Sequence, residues 1–332
     1  PMTLHPTPAG DTSRRALHEA ASRGLRMLAA DPRCREAFTA PGSLLQDLAS
    51  PAARRYVLAA GRDEFLVHLK ALRDKEYRIA VEFVGEENSD PAGIERVVEE
   101  YLAVLAAEPL PGQLGFDLSN LGLAVSRELA RDNTARVTRA AAARGADVVL
   151  SMERAPAVDA VLDTYRELAA DHPNLGVTLQ AYLHRTPADL DAIPLDGRRI
   201  RLVKGAFAAP ADTALGRGPA LDDRYLSLAA ELADRGALVS LATQDAAVLA
   251  AARERGLLDR VHEIEMLHGV RPALLREYHA LGHPCRIYAT YGENWWLHLL
   301  HRLAEHPPMV LTALADIAER HLDGRHAVGA HY

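Results

Sequence analysis

The sequence is poor in several features that would each have pointed elsewhere. Only two cysteines, Cys34 and Cys285, occur in 332 residues. They are far apart and in no metal spacing, so the plain reading is two reduced thiols in a cytoplasmic protein. Positive charge is not in excess: 38 Lys and Arg against 45 Asp and Glu give a net charge of −7. That argues against a nucleic-acid backbone or an anionic membrane surface as the main partner. No apolar run reaches membrane length, because Arg, Asp and Glu interrupt the Ala-rich segments. The opening stretch PMTLHPTPAGDTSRR has no apolar export core, so no signal peptide is expected. Glycine-rich phosphate loops are missing too. The nearest approach to G-x-G-x-x-G is GRGPAL at Gly216, which has Leu221 at the third glycine and follows no strand. No G-x-x-x-x-G-K-[ST] occurs.

What remains is a soluble-type composition, 48% apolar and 25% charged, with short apolar runs recurring along the chain. The runs are RIAVEFVGE from Arg78, LGFDLS from Leu114, DVVLSME from Asp147, GVTLQAYL from Gly176, RIRLVKGA from Arg199, LVSLAT from Leu238, VHEIEML from Val261 and CRIYATYG from Cys285. Amphipathic segments separate them, such as PAGIERVVEEYLAVLAA, which carries Ile94, Val97, Val98, Tyr101 and Leu102 at helical spacing. Eight strand-then-helix repeats predict parallel strands with right-handed crossovers, and so an α/β fold: a (β/α)8 TIM-type barrel with an N-terminal helical extension. The expected organisation is the extension over 1–75, the barrel over 76–320 and a tail over 321–332. In the extension, DPRCREAFTAPGS reads as the break between two helical segments.

A parallel barrel carries its active site at the C-terminal ends of its strands. That rule selects Asp117 and Ser119, Ser151 and Glu153, Gln180 and Tyr182, Lys204, then Thr243, Gln244 and Asp245, Glu265, and Tyr288 with Tyr291. The last helix, ENWWLHLLHRLAEH, adds His298, His301, Arg302 and Glu305 on one face. A rim with both cations and carboxylates suits a ligand with anionic parts that is not anionic throughout.

Four stretches in order, LQAYLHRT, RLVKGAF, EMLHGV and YGENWW followed by HRLAE, resemble proline dehydrogenase, a flavoprotein family built on this barrel. VEFVGEE and LSMERAP are similar to the family's first and third strands, so the resemblance runs from about Arg78 to Glu305. It implies FAD across the strand ends. Arg201 would lie beside the reactive nitrogen of the flavin, Lys204 and Gly205 would assist binding, and Gln180 would meet the ring. Thr243, Gln244 and Glu305 complete the expected cofactor set. The competing reading of Arg201 is a salt bridge inside the barrel, to Asp117 or Glu153.

The substrate pocket departs from the family pattern. Asp117 stands where the family has a Lys, Ser151 where it has an Asp, and Phe207 where it has a Tyr. Gln244 replaces a His, Glu265 replaces a Gln, and the paired arginines are His301 and Arg302; Tyr288 is kept. The expected catalytic set is therefore Asp117, Ser151, Phe207, Tyr288, His301 and Arg302. Asp117 reverses a local charge, which disfavours proline in the usual pose and favours a cationic or hydrogen-donating group; alternatively it pairs with His301. The expected activity is hydride transfer to flavin from a small amino-acid-derived amine, imino acid or hydrazino acid. A quinone, oxygen or another carrier would take the electrons. Ordinary proline oxidation, a flavin barrel that has lost catalysis, and metal-assisted chemistry at His298 and His301 are the competing readings.

Overall fold

A computed structural model describes residues 8–84, 90–305, 307–318 and 332. The acidic stretch GEENS (85–89) after the first expected strand and nearly all of the expected tail lie outside them.

Nine strands run among the described residues: β1 (Val57–Ala59), β2 (Arg78–Phe83), β3 (Gln113–Phe116), β4 (Asp147–Leu150), β5 (Leu175–Gln180), β6 (Arg199–Val203), β7 (Leu238–Ala242), β8 (Glu263–Leu267) and β9 (Cys285–Tyr291). The helices are α1 (Pro8–Ala30), α2 (Pro32–Thr39), α3 (Leu44–Ala53), α4 (Arg62–Arg73), α5 (Pro91–Ala106), α6 (Arg127–Ala143), α7 (Val158–Ala169), α8 (Thr186–Ala192), α9 (Pro219–Asp234), α10 (Ala246–Glu254), α11 (Pro272–Ala280), α12 (Trp295–Glu305) and α13 (Met309–Ala318). Strands β2 to β9 pair in parallel in sequence order, and β9 pairs with both β8 and β2, so the barrel closes. Between consecutive barrel strands the chain passes through a helix, as the eight repeats predict.

The alternation of each strand separates two environments. On β6, Ile200 and Leu202 are fully buried, while Arg199 and Arg201 take the other face. Ile200, Leu202, Val177, Leu179 and Tyr225 belong to one continuous apolar layer, each such side chain contributing about 1.5–3 kcal/mol. Local chemistry starts the helices. Asp90 caps α5 by accepting from the amides of Ala92 and Gly93, and Pro91 follows at the first helical position.

The chain forms two compact units. One takes the chain up to Val57 together with the chain from Glu293, and so holds α1, α2, α3, α12 and α13; the other is Leu58–Gly292 with Tyr332. Helix α4 thus groups with the barrel strands, and α12 with the N-terminal helices, where the sequence reading had placed these two elements the other way round. In the first unit both tryptophans that open α12 pack on one ring. Phe38 of α2 lies 4.6 Å from Trp295, edge-on, and 5.0 Å from Trp296, stacked. Both tryptophans are buried.

Two local expectations differ from the structure. DPRCREAFT is helix α2 and not a break: Asp31 accepts from the Arg33 amide and Pro32 occupies the first turn, a helix-start signature. The segment Val57–Ala59, inside the expected helical extension, is not helical. Its three apolar residues form β1, beside β9, where Gly292 donates to the Ala59 carbonyl at 2.9 Å. A run that short has no distinguishable period, so its strand partner decides.

Candidate active site at the mouth of the barrel

The inward face of the barrel is polar from floor to mouth. At the floor, Glu263 of β8 is held by four hydrogen bonds. Arg286 donates to it twice, at 2.6 and 3.1 Å, Arg78 at 3.0 Å and the Ser240 hydroxyl at 2.6 Å. Burial would raise this carboxyl, but the two guanidinium groups and the Ser240 bond outweigh it and bring it down to about 2. Arg199 pairs with Asp147 beside this group.

One step up the same strand stands Glu265, and its surroundings differ. Arg201 of β6 donates from Nε to its Oε1 at 2.5 Å, and its Oε2 is buried without a hydrogen-bond partner. Burial pushes the Glu265 carboxyl up, and Arg201 pulls it back only in part. Arg201 is fixed on its other side as well, its guanidinium carbon lying 4.5 Å from the centre of the Tyr288 ring. Among the described residues the ion-pair partner of Arg201 is Glu265, where the sequence suggested Asp117 or Glu153. Glu153 instead accepts from the Ser119 amide at 2.9 Å through its side chain and from Gln180 Nε2 at 2.8 Å through its carbonyl.

The Tyr288 hydroxyl donates to Glu82 Oε2 at 2.8 Å and lies 3.5 Å from the Ser151 hydroxyl. Burial and the neighbouring Glu82 carboxylate hold the phenol well above its ordinary value, so it stays protonated. Gly115 on β3 makes this possible: a Cβ there would stand 2.3 Å from the Tyr288 oxygen. Asp117 follows Gly115 by two residues, directly past the end of β3, and is half-buried. Tyr291, the other strand-end tyrosine, belongs to the opposite face; its hydroxyl donates to Glu100 of α5 and its ring stacks on Phe65.

Past β6, Lys204 binds Asp222 of α9 and, at 2.7 Å, Asp245. Asp245 also accepts from the amides of Ala247 and Val248 and so caps α10. Against the effect of burial, Lys204 and these amides hold its carboxyl below the usual range. Gly205 adopts φ 111°, and a Cβ there would meet the Tyr182 ring at 2.2 Å, so no other residue fits. Phe207 lies under the Arg154 guanidinium, 5.4 Å from its ring centre. Thr243 is buried and accepts from the Asp245 amide at 3.2 Å, while the Gln244 carbonyl accepts from Arg271.

The expected flavin can be tested against this donor set. Gln180 is 3% exposed; its amide nitrogen is committed to Glu153, and its Oε1 is buried without a partner, an acceptor left over for a ligand N–H. Arg201 offers a cation at the same mouth. A flavin ring presents one N–H donor and several acceptors, so the residues fit it.

The expected residues His301, Arg302 and Glu305 all lie on α12, in the first unit. There His301 is exposed, Arg302 is half-buried, and the Glu305 side chain lies outside the described residues. Among the described residues, no group of three or more His, Cys, Asp or Glu side chains is arranged to hold a metal, so His298 and His301 have no third ligand there. No described helix is long and apolar enough to cross a membrane. Sequence reasoning passed over Glu82 and Gly115. The alternation of RIAVEF, which puts Glu82 on the face of Ala80, was the signal for the first; nothing short of the fold could have shown the second.

Comparisons with known proteins bear on the family and the fold. The family model for proline dehydrogenase matches residues 65–305. Proline dehydrogenase 2 of Bacillus subtilis (strain 168) is 26% identical over 259 residues, covering 76% of this chain and 86% of that relative. The proline dehydrogenase of Deinococcus radiodurans is 26% identical over 269 residues, covering 77% and 86%. Among solved structures, proline utilization A (PutA) from Bdellovibrio bacteriovorus, inactivated by N-propargylglycine, superimposes with a TM-score of 0.68 at 17% identity. That similarity covers 92% of this chain and 39% of the PutA chain, and it concerns the fold alone. With a family match over residues 65–305 and the barrel mouth built as described, the chain belongs to the proline dehydrogenase family, flavin-dependent oxidoreductases acting on the CH–NH group of their donors.

Proposed function

We propose that this protein is an FAD-dependent dehydrogenase for a small amino-acid-derived amine, imino acid or hydrazino acid other than proline. The observation that carries the reading is the acidity of the mouth. Glu82 of β2 accepts from Tyr288, Glu265 of β8 already matches the Arg201 charge beside that ring, and Asp117 follows the end of β3. A second carboxylate is poorly received there, whereas a protonated or N–H-rich group is favoured.

The bound flavin would supply the hydride acceptor. Gln180, Arg201, Lys204, Gly205, Thr243 and Gln244 are the residues proposed to hold it. The rest of the chemistry belongs to the mouth. Tyr288 commits its proton to Glu82, so its oxygen lone pairs are left to accept from a substrate N–H. Asp117 would hold a cationic nitrogen. Ser151 and Phe207 line the pocket, one as a small polar contact and the other as an apolar wall. The nitrogen beside the C–H bond must be neutral when hydride leaves, because its lone pair drives departure. Solvent or a carboxylate at the mouth takes that proton. A quinone, oxygen or another carrier would then receive the electrons.

The test is an anaerobic screen of the purified protein, following flavin absorbance with proline beside hydrazino acids, cyclic amines and N-alkyl amino acids. Bleaching by an N–H-rich donor at rates well above those with proline is expected. A second reading, ordinary proline oxidation, is favoured by the names of the 26% identical relatives. Fast bleaching by proline alone would establish it and end the altered-substrate proposal.

A further inference from the structure

The acidic partner of Arg201 also bears on the flavin itself. We propose that Glu265 lowers the electron affinity of the bound flavin by cancelling the charge of Arg201. The inference rests on the flavin reading above and gives the Arg201–Glu265 pair a further effect on the cofactor.

The pair is built into the barrel. Arg201 is on β6 and Glu265 on β8, with β7 between them. The β7 residues in register are small: Ser240 opposite Arg201, and Ala242 opposite Glu265. A long side chain at either position would block the reach across. Glu265 is 1% exposed and Arg201 is trapped between it and the Tyr288 ring, so the guanidinium cannot turn elsewhere without losing both contacts. The second carboxylate oxygen has no hydrogen-bond donor among the described residues, and Arg201 is the cation that acts most strongly on Glu265.

A lone guanidinium beside the ring would favour the electron-rich reduced flavin, and in a buried site the effect is strong. A guanidinium paired with a carboxylate presents a dipole and not a net charge, and that preference largely disappears. Glu265 acts through Arg201 and is therefore a positioning residue.

The experiment compares wild-type protein with Glu265→Gln, both loaded with FAD, by anaerobic equilibration against reference dyes. The glutamine keeps an acceptor for Arg201 and removes the negative charge. The equilibrium between oxidised and reduced flavin is expected to move at least tenfold toward the reduced form, about 30 mV for a two-electron couple. In an Arg201→Gln background the same substitution is expected to move it far less, because burial without the guanidinium holds the Glu265 carboxyl in its neutral form. Bound flavin with an unchanged or lower potential in Glu265→Gln overturns the inference while leaving the flavin reading intact. Wild-type protein that takes up no flavin ends both. If the variant does not fold, the crystal structure of the wild-type flavoprotein decides. Glu265 must still lie on Arg201, and a carboxylate turned away from it overturns the inference.

Discussion

Two glutamates on one strand, two residues apart and pointing the same way, have opposite fates. Glu263 at the floor has its carboxylate filled by Arg286, Arg78 and Ser240. Glu265 at the mouth has one partner and one orphaned oxygen. The chain could have completed the second carboxylate as it completed the first. Buried charges that satisfy each other hold a fold in register, whereas buried charges left half-satisfied are where a ligand is to be expected. The floor is architecture and the mouth is chemistry, although both are built from arginine and glutamate.

The largest test of that contrast is to remove each charge in turn. Glu263→Gln leaves Arg286 buried beside a neutral amide and should cost about 3–5 kcal/mol in urea unfolding. Glu265→Gln should cost at least about 2 kcal/mol less, since Arg201 keeps an acceptor. Equal losses would erase the distinction. Acid sharpens the same comparison. The Glu263 carboxyl is depressed to about 2 in the fold, from 4.5. Its contribution is present above the unfolded value and is lost as pH falls toward about 2, an effect on the order of 3 kcal/mol. Glu265 has the opposite sign, its carboxyl being raised, so its protonation on acidification favours the folded state. Wild type and Glu263→Gln should therefore converge in stability as the pH drops.

A smaller effect is expected from Tyr288→Phe. The ring stays over Arg201, but Glu82 loses its donor, and kcat/KM should fall about tenfold with little change in Tm. The smallest concerns the floor alone. Gln113 is 1% exposed and both of its side-chain polar atoms lack partners. Gln113→Leu should raise stability by about 1 kcal/mol without touching turnover. A loss of stability would mean that an internal water fills the amide.

Much of this was legible in the sequence. Eight apolar runs with amphipathic spacers gave the barrel, and the strand-end rule brought Asp117, Ser151, Gln180, Lys204 and Tyr288 to one mouth because period-two alternation is a local property. What sequence could not show was who pairs with whom. Arg201 and Glu265 are 64 residues apart and meet only because β7 carries Ser240 and Ala242 between them. The role of Gly115 likewise depends on a tyrosine that enters from a strand far along the chain. The break read at Asp31 failed for a different reason: Asp-Pro marks a turn and a helix start equally well, and only the Arg33 amide on the Asp31 side chain distinguishes them.

Asp245 serves two masters, and that has a use. One carboxylate grips the Lys204 ammonium and anchors the opening amides of α10. Any guest that draws Lys204 toward itself must loosen its hold on Asp245 and leave that carboxylate freer to clasp the helix. The amide protons of Ala247 and Val248 then become a built-in gauge of occupancy, exchanging more slowly when the mouth is filled, in a stretch of chain the guest need never touch.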